Sequence, residues 1–204
     1  HGREHSFPTR RSSDLRGKGK PRSLALGAPI LALAFVDDEL VLAGCGDGRL
    51  RAIVVGDGEP AVRAELDLGA AVRAVLVVDA GTALATTADG ALHRLTLEVR
   101  DARPTLTARG RVAVAERGLD AIAVESGVIV VGGVDGAWVV DGDRARPLAV
   151  GGDGGVRALV GLGDGRIVAG CGDGAVRTAY VVGDAEATAP AWALAPLRSV
   201  ASAS

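Results

Sequence analysis

Read only for its apolar and polar positions, the chain is a succession of short hydrophobic runs cut by glycines and acids. Four times an apolar run enters Asp-Gly and a second run leaves it. These segments are LAGCGDGRLRAIV around Asp47, LATTADGALHRLTL around Asp89, VVGGVDGAWVV around Asp135 and VAGCGDGAVRTAYV around Asp173. The Asp-to-Asp spacings are 42, 46 and 38 residues. Asp-Gly joins antiparallel strands tightly, because glycine accepts positive φ and aspartate bonds its own backbone. The pairs Asp47-Gly48, Asp89-Gly90, Asp135-Gly136 and Asp173-Gly174 are therefore read as structural turns. A further apolar run precedes each: ILALAFV (30–36), VRAVLVV (72–78), LDAIAVE (119–125) and VRALVGL (156–162). From the start of that run to the Asp is 17 residues in three repeats and 16 in the third. A fourth, less regular run lies near a proline each time: Pro60, Pro104, Pro147 and Pro190. Proline cannot donate to a strand ladder, which suits an outermost strand.

Four strands per repeat and a period of about 40 residues are the signature of propeller blades. The expected fold is all-β, with about four four-stranded antiparallel blades forming part of a larger, seven-bladed propeller. The expected blades are 29–69, 70–113, 114–153 and 154–197, with 16–28 a linker or the end of a preceding blade and 198–204 a tail. Several runs are apolar on both faces, as sheets stacked between neighbours would be.

The residues after each corner resemble the WD-repeat propellers, whose third strand reads roughly S-x-D-G-T-V-R-V-W-D. Here the matching stretches are D-G-R-L-R (47–51), D-G-A-L-H (89–93), D-G-A-W-V (135–139) and D-G-A-V-R (173–177). The basic position four after the Asp is kept at Arg51, His93 and Arg177 and lost at Val139. The closing Trp-Asp is absent from all four repeats, as is the Gly-His before the inner strand. The resemblance covers roughly 27–197. It implies a platform on whose rim protein partners dock. The second position of each inner strand, Leu31, Arg73, Asp120 and Arg157, is expected to approach that rim, where two arginines suit an acidic partner segment.

Composition changes the picture in three ways. The chain is 48% hydrophobic, with 30 glycines and 2% aromatic residues, a mix suited to short strands and tight turns. The net charge of −2 gives no bulk attraction to nucleic acid or anionic membrane. No apolar run approaches the roughly 18 residues of a membrane-spanning helix. The absence of Met, Asn and Gln, with 23 basic residues of which two are Lys, points to a GC-rich bacterial gene. Residues 5–15, HSFPTRRSSDL, resemble a translated sequencing adapter, so 1–15 is read as a disordered artefact. The native N-terminus is then expected to be missing, and the cytoplasm is the expected location.

No grouping of residues carries catalysis. The serines lack a nucleophile-elbow setting. His93 sits on a third strand where its counterparts are Arg, and is expected to be a partly exposed strand residue. Cys45 and Cys171 share one repeat position and are read as small buried residues. The segment D-G-D-R-A-R (141–146) lacks the acids of a Ca²⁺ loop. Neither a catalytic site, a cofactor nor a metal is expected. The function expected is a non-catalytic scaffold for protein partners, part of a larger bacterial protein, with possible edge-mediated self-association of this piece. The alternative is a fragment of a quinoprotein-like propeller enzyme or ligand-binding sensor, against which the scarcity of tryptophan (Trp138 and Trp192) argues.

Overall fold

The structure is a computed structural model that describes residues 22–181, apart from 57, 102 and 151–153. Residues 1–15, the tail 198–204 and the fourth strand expected near Pro190 lie outside the described residues.

Among the described residues, fifteen strands make four antiparallel sheets, each a meander in chain order. Blade 1 holds β1 (Ile30–Phe35), β2 (Leu40–Cys45), β3 (Arg49–Val54) and β4 (Ala61–Asp67). Blade 2 holds β5 (Val72–Asp79), β6 (Thr82–Thr87), β7 (Ala91–Arg100) and β8 (Arg103–Ala113). Blade 3 holds β9 (Leu119–Glu125), β10 (Val128–Gly133), β11 (Gly136–Asp141) and β12 (Arg144–Leu148). Blade 4 holds β13 (Val156–Gly161), β14 (Arg166–Cys171) and β15 (Val176–Tyr180). The architecture is a four-blade propeller arrangement, with β1, β5, β9 and β13 neighbouring one another in that order.

The alternation of side chains along a strand explains the stacking. Leu40, Leu42, Leu50 and Ala52 face blade 2, where they meet Val72, Ala83, Ala85 and Leu95. Leu84, Leu92 and Val112 of blade 2 meet Leu119, Val131 and Val140 of blade 3. Ala121, Val130 and Val139 of blade 3 meet Val156, Ile167 and Ala169 of blade 4. Each middle sheet thus buries both faces, which is why its strands read as nearly continuous apolar runs.

One contact recurs between blades. In blades 1 to 3, the residue three before the corner Asp approaches the first residue of the next inner strand. A methyl placed on Gly44 would come within 2.7 Å of Val72, and one on Gly132 within 2.6 Å of Val156. In blade 2 that place is Thr86, whose hydroxyl donates to the Leu119 carbonyl at 3.1 Å. A second tie is Glu125, buried at the end of β9. Its carboxylate accepts the backbone N–H groups of Gly163 and Gly165 in blade 4 at 2.8 and 2.7 Å. Those two donors, Gly163 first, hold its carboxyl below the usual range despite burial.

Candidate functional site: the inner rim

The candidate rim is marked by a defect repeated in every blade. Pairing between the first two strands slips at one residue: Leu31 in blade 1, Arg73 in blade 2, Asp120 in blade 3 and Arg157 in blade 4. Ile30 pairs with Cys45 and Ala32 with Gly44, so Leu31 has no opposite number, and the other blades repeat this. A bulge of this kind re-aims its side chain out of the normal alternation. It falls at the second residue of each inner strand, the position singled out from the repeat.

The bulges of three blades converge. Asp120 accepts Arg73 Nη1 on Oδ1 at 3.0 Å and Arg157 Nη1 on Oδ2 at 2.5 Å. The Asp120 side chain is only 15% exposed, whereas Arg73 and Arg157 are 46% and 51% exposed. The cluster carries two positive charges against one negative. Each guanidinium uses one nitrogen on Asp120, which leaves donors for a ligand. Leu31, exposed beside them in blade order, adds an apolar contact surface.

The Asp-Gly corners form a second set of charged groups. Gly48, Gly90, Gly136 and Gly174 all have positive φ, as such a turn requires. In each blade the Asp also receives a guanidinium. Asp47 takes Arg51 through two bonds of 3.1 and 2.6 Å, and Asp173 takes Arg177 the same way at 3.0 and 2.6 Å. Arg177 pulls the Asp173 carboxyl down to about 2. Arg51 likewise holds Asp47 low. Arg51 is buried at 5% exposure and also donates Nε to Glu65 at 3.1 Å. In blade 3 the basic position is Val139, and Asp135 pairs instead with Arg117 from the preceding inter-blade loop.

Blade 2 differs again. Asp89 takes Arg111 from β8 at 2.8 Å, and the Thr87 hydroxyl lies 2.5 Å from Asp89 and 3.4 Å from His93 Nε2. Burial pushes the Asp89 carboxyl up, but Thr87 and Arg111 outweigh it and its pKa is lowered. His93 is buried, not partly exposed as expected from its strand position. It packs under the corner just as its counterpart Arg51 does, so an arginine at this position marks an inward side chain. Burial lowers the His93 pKa, Arg111 adds to this, and Asp89 opposes it. The cysteines are both free thiols; Cys45 is fully buried and Cys171 partly so.

At the opposite end of the strands, a cleft of 690 Å³ between blades 1 and 2 is lined by Asp37, Asp38, Glu39, Arg63, Asp101 and Arg103. Among the described residues no three His, Cys, Asp or Glu side chains gather closely enough to hold a metal ion. A scan against protein-family models finds no match for the chain, and a search of curated proteins finds none either.

Proposed function

We propose that this chain is a non-catalytic, WD-repeat-like propeller unit that docks an acidic segment of a protein partner on its inner rim. The observation that carries this reading is the Arg73–Asp120–Arg157 cluster. Three blades, each through a bulge, bring one sheltered carboxylate and two half-exposed guanidinia together. Asp120 fixes both arginines in place, so less side-chain freedom is lost when a ligand binds. Arginine presents its donors in a planar fork that matches a carboxylate. The excess positive charge favours an acidic ligand, and the exposed Leu31 gives it an apolar neighbour.

The test is calorimetric titration with a Glu-rich peptide against a Lys-rich control. The expected result is binding of the acidic peptide alone. The double variant Arg73→Ala/Arg157→Ala should lose it. Binding should also weaken steeply as salt rises, since a half-exposed ion pair is screened over about 8–10 Å at physiological ionic strength. Equal binding by the double variant would sink the proposal.

A further inference from the structure

Among the described residues, the two end faces of the blade array are inter-blade faces without a neighbour. The repeat makes this visible, because the exposed residues have less exposed counterparts in the other blades. Ile30 begins β1 and is 47% exposed, whereas Val72, Leu119 and Val156, which begin the other inner strands, are fully buried against the preceding blade. Leu33 and Phe35 on the same strand are also exposed, and a groove of 330 Å³ runs between them and Leu24 and Leu26. At the other end, Val176 is 53% exposed, while its counterpart Leu50 is fully buried against blade 2. Gly170 matches Gly44 and Gly132, which each receive a valine from the next blade. A methyl added to Gly170 would meet only Ala158 of its own sheet, at 3.5 Å. Blade 1 therefore presents the side that fits over a preceding blade, and blade 4 presents the side that receives a following one.

The segment leading into blade 1 supplies a second, independent match. LALGAPI (24–30) repeats LDLGAAV (66–72), the end of β4 and its connection to β5. Gly27 and Gly69 both have positive φ, 71° and 83°. The Pro29 carbonyl accepts from Gly46 as Ala71 does from Ala88, at 2.8 and 2.9 Å. Leu24, Leu26 and Ala28 pack on Ala43, Cys45 and Ile53, the blade 1 face that looks away from blade 2. Residues 24–28 thus take the place of the outer strand of a preceding blade, and no other described residue fills that blade's footprint. Blade 4 is a three-stranded sheet among the described residues, ending on β15.

We propose that the occupant is a second copy of this chain, docked head to tail. Blade 4 of one copy sits against blade 1 of the other, Ile30 enters the socket over Gly170, and residues 24–28 run beside β15. The complementary face is the one described surface of the right kind, and the three internal interfaces already show the two kinds pairing. Such contacts are heterologous, so they close into a ring or continue into longer assemblies.

Sedimentation of the full 204-residue chain tests this. The expected result is a dimer or higher head-to-tail multiple at micromolar concentration. Ile30→Asp blocks one face and Gly170→Val the other. Both positions have room among the described residues, so circular dichroism should stay unchanged. Each variant alone should associate at least about tenfold more weakly, a change of roughly 1.4 kcal/mol. A mixture of the two should form a one-to-one pair, because each retains the face that the other lacks. A wild-type chain that sediments as a monomer would overturn the proposal. So would variants that associate as the wild type does, or a mixture that stays monomeric.

Discussion

The corner of blade 1 and the inner rim are both made of aspartate and arginine, yet they are inside out relative to one another. At the corner the arginine is buried: Arg51 is 5% exposed and spends its donors on Asp47 and Glu65. At the rim the carboxylate is sheltered and the two arginines face water, each committing one nitrogen to Asp120. The same pair of residue types therefore does two jobs. A buried arginine with its donors satisfied holds a turn against its sheet, and removing its carboxylates leaves a desolvated cation. A half-exposed arginine contributes little to stability but keeps donors for a ligand. Burial of the cation, more than the presence of an ion pair, separates the structural cluster from the candidate recognition cluster.

The strongest way to break this comparison is Arg51→Ala. It leaves Asp47 and Glu65 without their shared cation and should cost about 1–3 kcal/mol in urea unfolding. Binding of an acidic peptide should be unchanged. Next comes the corner of blade 4. Asp173 should titrate near 2 by NMR and return toward its ordinary 3.8 in Arg177→Ala. Its folded pKa is depressed, so the stability it contributes is present above about 3.8 and lost as pH falls toward 2.

His93 sharpens the comparison at a smaller scale, as the corner group that takes up a charge at mildly acidic pH. Burial favours its neutral form in the folded protein, so its folded pKa lies below the ordinary 6.5. The stability of blade 2 should be fully present above about pH 6.5 and fall as pH drops below it. His93→Gln should flatten that slope in melting experiments between pH 7.5 and 5, a window of about two and a half units around the reference value. The smallest stability effect belongs to the rim. Arg73→Ala and Arg157→Ala should each change unfolding by less than about 1 kcal/mol.

The Asp-Gly corners and the four inner strands were legible because their geometry is local: a turn chemistry and a fixed count of residues. The second positions of the inner strands could be counted off in the same way, but not the bulges that aim them, since a bulge leaves no composition of its own at Leu31, Arg73, Asp120 and Arg157. Nor was it visible that Asp120 would engage both arginines, because they are brought together from three blades. The corner partners divide along the same line. Arg51 and Arg177 lie four residues after their Asp, on the strand that leaves the turn, and could be read. Arg111 and Arg117 come from another strand and a loop, 22 and 18 residues away, with nothing in the spacing to mark them. Glu125 was missed for a related reason. It stands in a polar turn like any surface acid, and only the neighbouring blade buries it. His93 was misjudged because arginine at the matching positions suggested a solvent-facing side, whereas those arginines point under the corner.

The division between buried and available arginines can be measured on one sample without any substitution, by following hydrogen exchange of arginine Nε–H groups by NMR. Arg51, whose Nε donates to Glu65, should exchange slowly, and Arg73 and Arg157 should exchange at rates close to a free side chain. Protection of Arg73 and Arg157 equal to that of Arg51 would contradict the account, because the rim would then be a second structural clamp with no donors to offer.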